Sequence, residues 1–226
     1  MVSAGAMNTV AEDLLLLLFQ PDSGTIAGEN TLFYVLGGAV LADLALGEHV
    51  RTAPGRMGSV QVEAVEEHPP ADPVLRSAWD YVAEKPRSVQ TVLAAIGPPL
   101  RAPLLDRLVD QGHLRRTSRK VLGLVTVQKL ADGGTGHRDR LLADVRAALV
   151  DGVEPEPRVA ALAALLSGSG TLPQFDPGIP WSTPVIQRAK ELEQGNWGAG
   201  AASEAVTRTV TATIVNSVVV AAAVRP

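Results

Sequence analysis

The segment Leu32–Leu46, LFYVLGGAVLADLAL, contains only three residues outside the apolar set, Gly37, Gly38 and Asp43. A surface helix carries an apolar stripe opposite a polar face, so a helix apolar all round lies either at the centre of a folded protein or within a membrane. This stretch is shorter than the ~20 residues a bilayer span needs, and a carboxylate inside it would be costly in lipid. It therefore predicts a central buried helix that the rest of the chain wraps. Each glycine weakens such a helix by up to about 1 kcal/mol relative to alanine, which predicts close packing against Gly37 and Gly38. Asp43 is expected to reach a cationic partner or a helix end. The competing role, an acid tuned for proton transfer, needs a companion acid or base that the flanking sequence does not supply.

Composition narrows the class. The chain has 226 residues, 46 % of them hydrophobic, enough for a sizeable core. It has no cysteine, which excludes disulfides and thiolate metal ligands. With no signal-peptide pattern at the N-terminus, a cytoplasmic location is expected. A net charge of -4 argues against wholesale coating of nucleic acid but leaves room for a local basic patch.

Residues 1–10 read as a flexible leader, and 11–226 as one mainly α-helical globular domain. Its helices surround a buried central bundle, with one or two small β-hairpins. A first helix covers Ala11 to Phe19, with Glu12 and Asp13 favourably placed at its N-terminal end. Weak alternation from His49 to Val65 predicts a hairpin. Helical spacing returns at Val74–Glu84, then at Val89–Ile96 with Ser88 as N-cap, then from Leu100 to a C-terminal cap at Gly112. HLRRTSRKVLGLVTVQKL reads as two strands joined by a polar tip at Thr117 and Ser118. Helices follow at Arg138–Asp151, with its arginines mostly outward, at Val159–Leu166, and after a cap at Thr183. The loop between the last two packs Phe175 and Trp181. The apolar segment Ala201–Val224, interrupted by Arg208 and Asn216, is expected as a buried terminal helix.

Motifs that carry chemistry are not found. No phosphate-binding glycine loop follows a strand, and GGTG at 133–136 reads as a turn. No serine sits in a GxSxG elbow. His49, His68, His113 and His137 are scattered without metal-ligand spacing. No enzyme, metal or cofactor is expected. What remains is a charge asymmetry: Gly112–Ala131 holds five cations, Arg115, Arg116, Arg119, Lys120 and Lys129, and no acid. An ordinary solvated turn competes here with an anion-facing patch, in which Val121, Leu122 and Leu124 enter an interface beside the cations. Helix, glycine, strand and basic hairpin also follow the plan of a winged-helix DNA binder. The preceding helix, however, offers mainly Arg107 to a duplex, and its acids repel phosphate, so nucleic acid is not expected as a partner.

The order of segments resembles the Golgi phosphoprotein 3 (GPP34) family, including its bacterial, actinobacterial-type members. The matching stretches are AEDLLLLLFQPDSG, GGAVLADLALGEHV, LLDRLVDQGHLRR with its hairpin, HRDRLLADVRAALVDG, the alanine-leucine helix and the final apolar helix. The resemblance implies a peripheral membrane protein that recognises phosphatidylinositol 4-phosphate through a basic pocket, with a hairpin that inserts into the bilayer or mediates self-association. Of the pocket positions, Arg101 matches. Gly37 and Pro98 stand where relatives have arginines, and no tryptophan lies between Gly24 and Gly38. The expected site is thus an anion-binding set, Arg101, Arg115, Arg116, Arg119 and Lys120, beside a membrane- or partner-contacting set, Val121, Leu122 and Leu124. Its expected partners are anionic lipid at the inner face of the cell membrane and a second copy of the chain.

Overall fold

The computed structural model describes residues 8–55, 60–121, 125–194 and 208–214. Three helices are buried along most of their length: α1 (Val10–Leu18), α2 (Leu32–Leu46) and α7 (Pro157–Gly168). They pack on one another. Around them lie α3 (Pro73–Ala83), α4 (Val89–Ile96), α5 (Arg101–Asp110), α6 (His137–Leu149) and α8 (Thr183–Glu193). The fold is mainly α with small antiparallel sheets. These are β1 (Phe19–Gln20) with β2 (Thr25–Ile26), then β3 (Val50–Pro54) and β4 (Val60–Ala64) joined by β5 (Arg87–Ser88), and the pair β6 (Leu114–Val121) and β7 (Val125–Asp132). Among the described residues no helix is long and apolar enough to cross a membrane.

The all-round apolar sequence of α2 becomes all-round burial, with Leu36, Ala39, Val40, Leu41, Ala42 and Leu44 at 0 % exposure. Its glycines are where neighbours come closest. A Cβ at Gly37 would lie 3.3 Å from Leu93 Cδ2 and 3.5 Å from the Gly97 Cα, and one at Gly38 would press on Ile214 and Val210. Gly97 is tighter still, since a Cβ there would stand 2.2 Å from the Phe33 carbonyl oxygen. Small residues on α2 and at the end of α4 let two backbones touch, which explains why glycine is tolerated inside a buried helix.

The structure corrects several expectations near the termini. The leader ends earlier than predicted, because Thr9 caps α1 and Val10 is already fully buried. Thr9 and Glu12 form a capping box, with the Thr9 hydroxyl accepting from the Glu12 N–H at 3.1 Å and Glu12 accepting from the Thr9 N–H at 2.7 Å. Arg138 does not face outward. It is half-buried and donates to the Phe19 and Leu17 carbonyls, meeting the C-terminal end of α1 where oxygens lack partners. In the proline-rich loop Phe175 packs on the core, but Trp181 is 48 % exposed. The N-cap of α8 is Ser182 rather than Thr183. Of the apolar C-terminal segment, 208–214 is helical with Val210 and Ile214 buried, and the remainder lies outside the described residues.

Asp43 reaches a helix end and a cation, as its sequence context predicts. Its carboxylate crosses to α1 and accepts from the Val10 and Ala11 N–H groups at 2.8 and 3.3 Å, with Arg158 Nη1 at 3.7 Å. It thus caps a neighbouring helix whose first N–H groups would otherwise be orphaned in the core.

Candidate functional site

The hairpin grows out of α5. That helix ends in a Schellman motif: Gly112 at φ +76° supplies the left-handed turn, and the His113 N–H donates to the Leu108 carbonyl at 2.9 Å. The turn aims the chain into β6, where Leu114 is buried as the anchor. β6 and β7 pair from Leu114↔Asp132 to Val121↔Val125, and the Gly133 N–H closes the base on the His113 carbonyl at 2.9 Å. Two long strands therefore project from a fixed root.

This register corrects the predicted tip. Thr117 and Ser118 lie within β6, opposite Lys129 and Gln128, and are not the turn predicted from their polarity. The described pairing runs on to Val121 opposite Val125, and Leu122 and Leu124 lie outside the described residues. Polarity misled because a two-stranded ribbon is wet on much of its surface, so a polar pair is as much at home mid-strand as in a turn.

The predicted cations divide. Arg116 forms an ion pair with Asp106 of α5, and Lys129 donates to the Asp22 carbonyl at 3.4 Å. On the β7 side Gly24 packs directly on Lys129 and Leu130. These two cations hold the root of the hairpin between α5 and the β1–β2 turn. Arg115 is exposed, opposite Ala131. Arg119, Lys120 and Val121 occupy the distal half of β6, opposite Val127, Thr126 and Val125. Arg101 is not brought to this group. It opens α5 while the hairpin leaves from the far end, about 14 Å along the axis at 1.5 Å per residue. There it pairs with Glu29 at 2.7 Å, both side chains about half exposed.

A second polar constellation lies at the inner end of α1, and sequence spacing did not reveal it. Asp13, 3 % exposed in its side chain, accepts from Arg158 at 2.7 Å and bonds His137 Nε2 at 2.8 Å. The His137 ring stacks on His113 with centroids 4.6 Å apart, and His113 Nδ1 bonds the Thr135 hydroxyl at 2.7 Å. Gln111 reaches Glu12 at 3.1 Å. Histidines that are scattered in sequence thus form a pair at the root of the hairpin, and His49 and His68 form another with centroids 4.5 Å apart. The one available signal was the position of the two histidines at helix ends, His113 just past the C-terminal cap of α5 and His137 as the first residue of α6. Among the described residues no group of three or more metal-donor side chains comes together.

Burial shapes the ionisation of this region. It lifts the Asp43 carboxyl to about 7, against the opposing pull of the Val10 N–H, the Arg158 charge and the Ala11 N–H. His113 is held below its usual range by burial and by the neighbouring His137. Asp72 shows the opposite outcome. Burial works against its charge, yet hydrogen bonds from Arg107 and from the Leu75 and Val74 N–H groups hold its carboxyl below the usual range.

The chemistry on offer is cationic binding at an extended ribbon rooted in a buried, internally paired polar network. The family model described as Golgi phosphoprotein 3 (GPP34) matches residues 10–209, from the first turn of α1 into the last described helix. No curated protein matches the chain. A match of that extent, over all the helices described above, shows that the chain belongs to the Golgi phosphoprotein 3 (GPP34) family.

Proposed function

We propose that the chain is a non-enzymatic peripheral membrane protein that binds anionic phospholipid through the basic hairpin. The observation that carries this reading is the acid-free run Gly112–Ala131, which forms a two-stranded ribbon on a fixed root. Arg116 and Lys129 fasten that root, Arg115 is exposed, and in this reading Arg115, Arg119 and Lys120 supply the charge for the lipid, each worth about 1 kcal/mol near an anionic surface. Phosphatidylinositol 4-phosphate is the head group that family membership favours, with the inner face of the cell membrane as the location. Arg101 contributes as a separate contact, held by Glu29 until an anionic head group displaces it.

Sedimentation with vesicles of phosphatidylcholine, with and without phosphatidylglycerol or phosphatidylinositol 4-phosphate, tests the reading. Wild type pellets only with the anionic vesicles, and a variant with Arg115, Arg119 and Lys120 changed to Glu stays in the supernatant. Equal pelleting of the two proteins refutes it. Self-association is the second reading, and it rests on the β6–β7 ribbon pairing with no third strand among the described residues, which leaves a strand for another chain to pair with beyond the root that Gly24 covers. A mass independent of concentration in lipid-free buffer removes it.

A further inference from the structure

A cleft of about 450 Å³ opens between α3 and the α4–α5 turn, far enough along α5 from the hairpin to be a separate feature. That volume falls within the range of about 300–1,000 Å³ typical of small-molecule sites. Its walls are Val74 and Ala78 from α3, and Ile96, Pro99, Leu100 and Pro103 opposite. No charged side chain lines it. The polar side chains present are Ser77 and Tyr81, whose hydroxyls bond no other described residue. The walls are rigid. Pro73 locks the first turn of α3, Asp72 caps that turn, and Arg107 grips Asp72 at 2.7 Å, pinning α3 to α5. Arg87 lies over the Tyr81 ring at 4.0 Å and donates to the Tyr81 carbonyl, so that side of the cleft is held as well.

The chemistry of the lining selects the occupant. A peptide segment would bring an N–H and a carbonyl at almost every residue into a space where two hydroxyls are the only partners, and each unpaired group is costly. A hydrocarbon chain brings none. Arg101 follows Leu100 in the chain but pairs with Glu29 and does not line the cleft, so the lining selects for the hydrocarbon and not for the head group.

We propose that this cleft receives one acyl chain of the anionic membrane lipid, a role that rests on the membrane reading above. The hairpin then meets the bilayer surface while the cleft takes a chain out of it.

Isothermal titration with alkanoates from octanoate to dodecanoate, below their micelle concentrations, reads the cleft without a membrane. Wild type binds about fourfold more tightly for each added methylene, the gain expected from burying one CH₂. Ala95→Trp, an exposed lining position of α4, weakens dodecanoate by about tenfold or more with an unchanged thermal midpoint. Ser77→Trp blocks the opposite wall and decides the matter if the first variant fails to fold. No binding by wild type, or binding that both blocked variants retain, overturns the proposal. Vesicle pelleting without alkanoate binding sinks the cleft and leaves the hairpin reading intact. Alkanoate binding lost on blocking, in a protein that ignores anionic vesicles, supports the cleft and refutes the membrane reading.

Discussion

Replacing Asp43 with asparagine should stabilise this protein at neutral and alkaline pH, although the carboxylate caps a helix and faces an arginine. The wild-type carboxyl sits at about 7 in the folded chain against 3.8 when exposed. Between those values the folded state holds a proton that the unfolded state has released, so stability falls as pH rises through this window and is flat above it. At about 1.4 kcal/mol for each tenfold change in proton affinity, the ionised carboxylate costs the fold about 4 kcal/mol above pH 7, with about 2–3 kcal/mol of that change falling between pH 5 and 8. The side-chain amide of the variant has no proton to lose. Its amide oxygen accepts from the Val10 N–H, but the NH₂ that replaces the second oxygen cannot accept from the Ala11 N–H, a pH-independent loss of about 1 kcal/mol that is smaller than the gain at high pH. Urea unfolding of both proteins at pH 5, 6, 7 and 8, followed by far-UV circular dichroism, isolates the effect, because all other groups titrate in both. The Asp43→Asn gain should grow by about 2–3 kcal/mol across the series. A difference that stays constant with pH, or a variant weaker than wild type at pH 8, would show that helix capping and Arg158 outweigh burial and would refute the reasoning.

Three further outcomes follow from the packing and the polar network. Gly97→Ala should cost about 1–3 kcal/mol in urea unfolding, because its Cβ meets the Phe33 carbonyl oxygen, whereas Gly38→Ala meets only movable ends of Ile214 and Val210 and should cost less; equal losses would contradict this. Asp72→Ala removes the acceptor for two α3 N–H groups and the partner of Arg107, for a loss of about 2 kcal/mol at pH 7. Because the Asp72 carboxyl is held below its usual range, that loss should shrink as pH falls through the carboxylate range, and a pH-independent deficit would count against it. Arg158→Met leaves the buried Asp13 without its cation and should lower stability by about 3 kcal/mol, measurable in the same assay, with an unchanged midpoint as the contrary result.

Local pattern made much of the architecture readable. The apolar run Leu32–Leu46, the caps at Ser88 and Gly112, and the stop at Gly47 all mark elements through interactions spanning a few residues, and the structure has helices bounded there. The hairpin was legible as a pair of strands but not in register. Thr117 and Ser118 resemble a turn, and only the pairing from Leu114 to Val121 shows that they lie within the strand. Arg138 reads as an outward arginine until α1 is placed beside it, when its guanidinium is seen to serve the last carbonyls of that helix.

The candidate site divides along the same line. Charge content was written in the sequence, where five cations without an acid stand between Gly112 and Ala131. Their roles were not, because a cation's role depends on which carboxylate or carbonyl the fold brings to it. Asp106 claims Arg116, Asp22 claims Lys129 and Glu29 claims Arg101. The network of Asp13, His137, His113, Arg158 and Asp43 joins residues more than a hundred positions apart, a juxtaposition that no spacing rule contains. By itself the sequence determined the helical class, the buried helix, the basic ribbon and the family resemblance, because each depends on residue type and order at short range. Only the tertiary structure decided which cations are spent on the fold, how far the Asp43 carboxyl is lifted, and where a cleft remains between α3 and α5. Those follow from burial and from distances between elements that are remote along the chain.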